Sequence, residues 1–258
     1  MFDTHAHLNL PPLLDDVGRI VDESRSAGVT GINVIGIDVQ SSRAAVGLAG
    51  RFPGYLHAVV GIQPNSLNDT ADGDFDRIAA LLDHPGVVAM GETGLDTYWK
   101  EVPLERQRPA FDWHMDRCVE HDLPMVIHMR DCGGEILRSL DARDAIPRGV
   151  MHSFSGDASL AQHCLDRGLH ISLAGMVTFK NAGSLIDVAR MVPDDRLLVE
   201  TDSPYLSPEP LRGKRPNVPV RVEHTLRRIA EIRGVDTKTL ARTTAANARR
   251  LFGISDAT

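Results

Sequence analysis

Several features are scarce or absent in this sequence, and each absence excludes a class of protein. Only three of the 258 residues are cysteines, at positions 118, 132 and 164. Their number is odd and no C-x-x-C pair occurs, which argues against a disulfide scaffold or a cysteine zinc site and favours reduced thiols. No apolar run approaches about 18 residues, so we expect no membrane span.

An excess of positive charge is also missing. The chain has 28 Lys and Arg against 35 Asp and Glu, and its net charge is −7. A basic coat that wraps DNA is therefore excluded as the main source of affinity, and any binding of a polyanion must come from a local site. The first ten residues, MFDTHAHLNL, have neither a basic region nor an apolar core. We therefore expect no signal peptide and a cytoplasmic protein.

Short apolar runs rich in Val, Ile and Leu recur along the whole chain. They predict eight strands, at 1–7, 29–37, 56–62, 87–93, 124–129, 149–154, 170–174 and 197–202. Their near-continuous apolar character is typical of parallel strands covered on both faces. Segments with helical periodicity predict helices at 12–27, 75–83, about 104–122, 133–142, 157–167, 183–191, 219–233 and 237–250.

This alternation predicts an α/β fold, a (β/α)8 TIM barrel. No linker, low-complexity tract or repeat interrupts the pattern, so we expect a single domain over 1–258. The alternative is an open doubly wound sheet. The G-x-G-x-x-G motif of its dinucleotide-binding version does not follow the first strand, which weakens that alternative.

Local signals refine the helix predictions. Gly28 and Gly168 are expected to end helices in the left-handed conformation. Pro109 lies inside the 104–122 segment, so that helix should start late or kink there. The helix at 12–27 should bury a stripe formed by Leu14, Val17, Ile20, Val21 and Ser24.

Chemically active side chains stand at the carboxyl ends of five predicted strands. They are His5, His7, Glu92, His128, His152 and Asp202. In a barrel these ends converge on one mouth, and such a set of imidazoles and carboxylates binds divalent metal ions. Taken singly, each could be a core histidine or a buried carboxylate paired with arginine, but their shared position favours a metal site. The other histidines are interpreted as structural or surface residues: His57, His84, His114, His121, His163, His170 and His224.

Two ions fit six ligands better than one, because a catalytic zinc takes three or four ligands from protein. If Glu92 bridges, the first ion would take His5, His7 and Asp202, and the second His128 and His152. Ions about 3.5–4 Å apart would contact both the attacking and the leaving oxygen of a phosphodiester. The residual positive charge of such a site would attract an anionic substrate to an acidic protein.

Two acidic residues near the end of the last strand receive different roles. Asp202 is the candidate base that orients the attacking water and takes its proton. Glu200 shares the strand face of Asp202 and is expected to support a ligand histidine rather than to bind metal.

Longer motifs extend over nearly the whole chain. They are D-T-H-A-H-L at 3–8, G-E-T-G-L-D at 91–96, L-P-M-V-I-H-M-R-D at 123–131, H-S-F-S-G at 152–156, E-T-D-S-P-Y-L-S-P at 200–208, R-G-K at 212–214 and A-A-N-A-R-R-L-F at 245–252. In this order they resemble the TatD family of metal-dependent deoxyribonucleases, within the amidohydrolase-like barrels. The resemblance implies a barrel of the metal-dependent hydrolase type and exonucleolytic hydrolysis of DNA phosphodiesters. It also implies that the six residues hold two divalent ions (Zn, Mn, Fe or Mg), with Asp202 and Glu92 catalytic.

The sequence departs from the family pattern in two loops. After the third strand the family usually has G-x-H-P-H, whereas this chain has G-I-Q-P-N at 61–65. Gln63 can donate a hydrogen bond to a phosphate but cannot carry charge or shuttle a proton. After the eighth strand the family pattern G-K-x-N-x-P is altered to G-K-R-P-N-V-P at 213–219. These changes bear on substrate choice and rate rather than on the metal site.

Residues just past the strand ends are candidates for substrate contact. The candidates are Gln63, Arg130, Ser155 and Lys214, with Ser153, Arg212 and Arg215 nearby. A solvated loop position is the equal alternative for the basic residues, and Ser155 could instead cap the helix near 156. Trp99 and Tyr205 could stack on bases, although packing at the barrel rim is the favoured interpretation.

We therefore predict a divalent-metal-dependent hydrolase that acts on DNA, with no membrane association and no obligate protein partner. Two alternatives stay open: a hydrolase of a non-nucleic ester or amide, and a non-catalytic metal-binding quality-control protein, which Gln63 suggests. Barrel relatives that cleave esters or amides often bridge their metals with a modified lysine on the fourth strand. Glu92 in that place favours the nuclease.

Overall fold

The computed structural model describes residues 1–255, and within them the chain forms eight strands and nine α-helices. The strands are β1 (Asp3–Ala6), β2 (Ile32–Ile35), β3 (Leu56–Val60), β4 (Val87–Asp96), β5 (Met125–Arg130), β6 (Gly149–Met151), β7 (His170–Leu173) and β8 (Leu197–Val199). The helices are α1 (Val17–Ser26), α2 (Val39–Arg51), α3 (Asp74–Ala79), α4 (Leu104–Glu120), α5 (Gly133–Asp141), α6 (Ala158–Asp166), α7 (Ser184–Met191), α8 (Val222–Arg233) and α9 (Thr237–Phe252).

The strands lie in one sheet in chain order, and each neighbouring pair from β1 to β8 is parallel. The sheet curls until β1 reaches the end of β8, where Ala6 and Ser203 form a parallel bridge. Two backbone hydrogen bonds continue this contact, from His7 N–H to the Ser203 carbonyl at 2.7 Å and from Asp202 N–H to the His5 carbonyl at 2.9 Å. The (β/α)8 barrel is therefore confirmed, and the open doubly wound alternative is wrong.

Buried apolar side chains occupy both faces of the sheet. The larger cluster fills the layer between the sheet and the surrounding helices. A second cluster joins residues on six strands, together with Phe2, to α9; it contains Phe2, Ile35, Val59, Ala89, Val126, Val150, Leu198, Ala245, Ala248, Leu251 and Phe252. Helix α9 thus covers one end of the barrel. Two residues beyond Val126, Val150 and Leu198 the same inward face carries polar side chains, which therefore gather toward the other end.

Helix α2 was not among the predicted helices. It begins at a capping box, in which the Asp38 side chain accepts the Ser41 N–H at 2.7 Å and the Ser41 hydroxyl oxygen accepts the Asp38 N–H at 3.1 Å. The D-x-x-S spacing was therefore an available signal.

One other helix prediction was wrong in detail, and one stays partly open. Helix α4 does not start late, since it runs from Leu104 through Pro109, and a kink at Pro109 stays a prediction. Leu14 is exposed because it lies in a short 3-10 turn before α1, whereas the rest of the predicted stripe is buried. Gly28 and Gly168 do adopt left-handed φ values, 83° and 78°. Within the described residues, no helix has the length and apolar character needed to span a bilayer.

Candidate metal centre

The mouth of the barrel brings together the six side chains singled out from the sequence. They lie on or just after β1, β4, β5, β6 and β8: His5, His7, Glu92, His128, His152 and Asp202. Four of them are buried, while 14% of the Asp202 side chain and 13% of the His128 side chain are exposed. The group is therefore largely enclosed, and solvent reaches it mainly at these two residues.

One half of the group surrounds the Oε2 atom of Glu92. His5 Nε2 and His7 Nε2 lie 3.4 and 3.8 Å from this oxygen and 3.3 Å from each other. Asp202 Oδ1 lies 3.7 Å from His5 Nε2 and 3.5 Å from His7 Nε2. Two imidazoles and one carboxylate thus face a common point beside Glu92.

The other half surrounds the second oxygen of the same carboxylate. Glu92 Oε1 lies 2.7 Å from His128 Nδ1 and 3.0 Å from His152 Nε2. The two imidazole nitrogens are 3.3 Å apart. Glu92 therefore presents one oxygen to each half.

These separations fit divalent cations. Ligand atoms at about 2.1 Å around a tetrahedral ion lie roughly 3.4 Å from one another. The donor pairs in the two halves are 2.7–3.8 Å apart, so small movements would place them on an ion. The mixed nitrogen and oxygen donors are those that Zn, Mn and Fe accept.

The two carboxylates stay ionised although they are enclosed. Burial by itself would raise the pKa of Glu92, but the charge of His152 and hydrogen bonds from the surrounding imidazoles outweigh burial and hold this pKa well below its usual value. Burial would likewise raise the pKa of Asp202, yet the hydrogen bond from His7 and the charges of His5 and His7 lower it. Ionised carboxylates are the form that binds cations.

Asp202 adopts an uncommon backbone conformation, with φ at 53°. Its N–H donates to the His5 carbonyl at 2.9 Å, and its carbonyl accepts the Tyr205 N–H at 2.8 Å. These two bonds maintain a strained turn that points the carboxylate at the two histidines of β1.

Two glycines of the G-E-T-G motif explain how β4 carries Glu92 to the centre. Gly91 and Gly94 have φ of 141° and 143°, values that side-chain-bearing residues rarely adopt. A Cβ at Gly94 would lie 2.0 Å from the His128 carbonyl oxygen, and one at Gly91 would lie 2.6 Å from the Val126 carbonyl oxygen. Only glycine therefore allows β4 to run this close to β5.

Asp96 is a functional candidate that the sequence interpretation missed. Its Oδ2 lies 2.9 Å from His128 Nε2 and accepts a hydrogen bond from Asn65 Nδ2 at 3.0 Å. These bonds outweigh the effect of burial and lower the pKa of Asp96 to about 2. The available signal was the spacing of Glu92 and Asp96, which places both side chains on one face of a strand; the predicted strand ended at 93 although β4 continues to Asp96.

Glu200 lies behind the histidines, and its carboxylate forms a third group with His5 and His152 whose possible ligand atoms lie within 4.8 Å of one another. Its Oε1 lies 3.5 Å from His152 Nδ1 and accepts the Ser153 N–H, while its Oε2 accepts the Ser172 hydroxyl at 2.5 Å. The His5 and His152 rings stack 4.0 Å apart beside it. A separation of 3.5 Å is too long for a strong hydrogen bond, so the Glu200–His152 contact is mainly electrostatic.

The residues predicted to contact substrate differ in what their side chains touch in the structure. Gln63 Nε2 donates to Glu92 Oε1 at 3.1 Å, so it reaches the centre itself. Arg130 lies over the Tyr98 ring, 4.1 Å from its centroid. Lys214 is exposed, and its carbonyl accepts hydrogen bonds from the side chains of Ser207 and Arg221.

One alternative considered for a loop residue is wrong. Ser155 is exposed and does not cap α6, because the Asp157 side chain takes that position and accepts the Leu160 N–H at 2.8 Å. Trp99 and Tyr205 are 48% and 54% exposed, and the covered parts of their rings contact Tyr98 and His7 at the rim.

Comparison with known proteins gives a consistent result over the full length. A family model described as TatD related DNase matches residues 2–253. YabD of Bacillus subtilis, described as a metal-dependent hydrolase, is 36% identical over 256 residues, covering 99% of this chain and 100% of YabD. A protein of Citrobacter rodentium described as the 3'-5' ssDNA/RNA exonuclease TatD is 35% identical over 260 residues, covering 99% and 98%.

A solved structure agrees with these relatives. The TatD homologue YJJV of Escherichia coli K12 superposes with a TM-score of 0.93 at 27% identity, covering 99% of this chain and 98% of YJJV. The chain, with its barrel and its cluster of histidines and carboxylates, belongs to the TatD-related DNase family of metal-dependent hydrolases.

Proposed function

We propose that the six side chains at the mouth hold two divalent ions (Zn, Mn, Fe or Mg) and that the chain hydrolyses phosphodiester bonds of DNA from a strand end. The observation that carries the proposal is the orientation of Glu92. One of its oxygens faces His5 and His7, and the other faces His128 and His152. A carboxylate that serves two donor sets is the arrangement a bridged metal pair requires.

When bound, such ions polarise the phosphodiester and lower the pKa of the attacking water. The chain supplies the remaining steps. Asp202 is ionised and partly exposed, so its carboxylate can accept the proton of that water. Gln63 lies beside Glu92 and can donate its amide N–H to a phosphate oxygen. Asp96 holds the His128 ring in one orientation from behind.

The relatives support a nucleic-acid substrate. The protein of Citrobacter rodentium bears the description of a 3'-5' exonuclease on single-stranded DNA and RNA, and it aligns with this chain from end to end. An acidic protein with a net charge of −7 needs a local attraction for a polyanion, and two bound dications supply it.

The test is cleavage of a 3'- or 5'-labelled single-stranded oligonucleotide by purified protein with Mg, Mn or Zn, combined with metal analysis. We expect about two ions per chain and stepwise shortening from one end. Asp202→Ala should lose at least a hundredfold in rate and about one ion. Equal residual cleavage by both proteins would indicate a contaminating nuclease and remove Asp202 from the mechanism. Hydrolysis of p-nitrophenyl esters without any DNA cleavage would favour the ester hydrolase instead.

We also propose a cytoplasmic location. The three cysteines are unpaired and buried, as is usual in reducing compartments. Cell fractionation with a soluble marker enzyme tests this location, and recovery in the periplasmic or secreted fraction would contradict it.

A further inference from the structure

Glu200 is a buried carboxylate that the proposed chemistry does not use. It directly follows β8, is fully buried, and lies behind the ligand histidines. Carboxylates are almost never fully buried unless a partner offsets their charge. The groups around Glu200 therefore indicate what this residue does.

Three neutral donors hold the carboxylate in one place. Oε1 accepts the Ser153 N–H, and Oε2 accepts the hydroxyl groups of Ser172 at 2.5 Å and of Thr4 at 3.3 Å. These donors come from β1, from β7 and from the turn after β6. Glu200 is thus fixed in position, but none of the three donors carries a charge that would offset its own.

Two ligand imidazoles lie beside this carboxylate. The rings of His5 and His152 stack with centroids 4.0 Å apart and planes inclined by 11°. Their Nε2 atoms face Glu92, at 3.4 and 3.0 Å. His152 Nδ1 lies 3.5 Å from Glu200 Oε1, and possible ligand atoms of His5, His152 and Glu200 lie within 4.8 Å of one another. Glu200 therefore adjoins one histidine from each half of the centre.

The Nδ1 atoms of these two rings still need a partner. Both are buried, and neither makes a hydrogen bond within residues 1–255. An imidazole that gives Nε2 to a metal ion carries its proton on Nδ1. A buried N–H without an acceptor is costly, and Glu200 is an anionic acceptor beside both rings.

The charge of Glu200 fits a pair of dications. Four carboxylates contact the rings of the ligand histidines: Glu92, Asp96, Glu200 and Asp202. Their four negative charges equal the four positive charges of two divalent ions, so the loaded group would be neutral. Asp96 contacts one ligand histidine, His128, whereas Glu200 adjoins two.

We propose that Glu200 is a positioning residue for both ions of the centre. It supports His5, which belongs to the half formed with His7 and Asp202, and His152, which belongs to the half formed with His128. This inference rests on the proposed function, because it requires two ions. Loss of a carboxylate that supports a ligand histidine lowers metal affinity about ten- to a hundredfold, and here both affinities should fall together.

The first test is calorimetric titration of Zn or Mn into metal-free protein. Glu200→Gln removes the charge and keeps the size of the side chain, and we expect both affinities to fall about ten- to a hundredfold. Asp96→Asn should weaken one ion alone. Glu120→Gln removes the same charge from an exposed position on α4 and should leave both affinities unchanged. A fall in one affinity only, or in neither, for Glu200→Gln would overturn the proposal.

The second test separates support of the two rings from a merely structural role. In Zn-loaded protein with 15N-labelled histidine, nuclear magnetic resonance should show His5 and His152 protonated on Nδ1. Both protons should move upfield in Glu200→Gln, because a neutral amide accepts a weaker hydrogen bond than a carboxylate does. The Nδ1 atom of His7 faces the Ile35 carbonyl at 3.2 Å, so its proton is the internal control and should not move. Unchanged resonances of His5 and His152 would contradict the proposal.

Ser172→Ala keeps the proposal testable if Glu200→Gln does not fold. It removes the hydroxyl that holds Oε2 and leaves the carboxylate in place. Both metal affinities should fall in parallel, and the resonances of both rings should shift. A change confined to one ion and one ring, or no change at either, would overturn the shared role.

The outcomes separate this inference from the proposed function. If wild-type protein binds two ions but does not cleave DNA, the phosphodiesterase proposal fails, and the titrations still decide on Glu200. If wild-type protein cleaves DNA with two ions and Glu200→Gln weakens only one of them, this inference alone fails. Three ions per chain would make Glu200 a ligand together with His5 and His152 and would overturn its role as a positioning residue.

Discussion

Asp96 and His128 are joined by one hydrogen bond, with 2.9 Å between Asp96 Oδ2 and His128 Nε2. Because an ionised carboxylate can only accept, the imidazole must carry a proton on Nε2. Nδ1 donates to Glu92 Oε1, 2.7 Å away, and a bound ion would take the place of that Nδ1 proton while Asp96 keeps the one on Nε2. Asp96 thereby sets the tautomer that a metal ligand needs.

Asp96→Asn should therefore weaken metal binding without disrupting the loop after β4. The asparagine oxygen can still accept the N–H groups of Tyr98 and Trp99, but its amide would donate to His128 Nε2 and move the imidazole proton to Nδ1. We expect affinity for one of the two ions to fall about ten- to a hundredfold, measured by calorimetric titration of Zn or Mn into metal-free protein.

Asn65→Ala is the matched control for this substitution. It removes a donor to Asp96 but leaves the carboxylate that accepts from His128. Its metal affinity should stay within about threefold of wild type. An Asp96→Asn protein that binds two ions as tightly as wild type would show that the tautomer is set elsewhere.

Because of His114, we expect the free energy of unfolding to depend on pH in the acidic range. The ring is fully buried on α4; Nδ1 lies 2.7 Å from the Ala110 carbonyl oxygen, and Nε2 accepts the Ile62 N–H at 3.0 Å. Only the neutral ring satisfies both partners, and burial lowers the pKa of His114 to about 4. The unfolded chain therefore binds the extra proton between pH 6.5 and 4. The stabilisation is complete above pH 6.5 and is lost as pH falls through this window, by at most about 1.4 kcal/mol per pH unit.

Urea unfolding at a series of pH values measures this effect. His114→Gln should lower the free energy of unfolding at pH 7 and flatten its slope between pH 6.5 and 4. His163→Gln changes an exposed histidine of α6 and should leave the slope as in wild type. Identical slopes for all three proteins would contradict the role assigned to His114.

The close approach of β4 and β5 predicts a position that tolerates no side chain. Gly94→Ala would place a Cβ 2.0 Å from the His128 carbonyl oxygen at a φ of 143°, so we expect a loss of about 3 kcal/mol or more, or failure to fold. Gly47→Ala lies on the exposed face of α2 with open space around its Cβ. It should be neutral or stabilise by up to about 1 kcal/mol. Thermal unfolding compares the two, and equal melting temperatures would refute the steric argument.

Metal removal should lower thermal stability. An ion present at about a hundred times its Kd stabilises the folded chain by about 2.7 kcal/mol. For a chain of this size that corresponds to a melting temperature higher by roughly 5–10 °C. Calorimetric scans with chelator and with added Mn or Zn test the shift, and coincident scans would show that the centre holds no ion in solution.

Much of the architecture could be predicted from the sequence because buried parallel strands consist of short apolar runs. All eight strands were found, with ends misplaced by up to three residues. The predicted β2, β6 and β8 were too long, whereas β4 was three residues too short because Gly94 and the polar Asp96 interrupt its apolar pattern. Helix α2 was missed because its alanines, serines and glycines form a weak apolar stripe, although Asp38 and Ser41 cap it clearly.

Some residues of the candidate site could likewise be predicted from the sequence, and others could not. Side chains at strand ends were predictable from topology alone, since a barrel brings all such ends to one mouth. Asp96 was not, because its role depends on where β4 places its carboxylate. The exposure of Trp99 and Tyr205 likewise follows from loop geometry that spacing in the sequence does not encode.

Backbone pairing in the barrel is least extensive where the first and last strands meet. There the backbone contact rests on the Ala6–Ser203 bridge and a few neighbouring hydrogen bonds. His5 lies on β1 and Asp202 follows β8, so an ion bound by both side chains would link the first strand to the last. Metal binding and closure of the barrel would then be thermodynamically coupled. Without metal, the contact between β1 and the end of β8 would be the first part of the barrel to open.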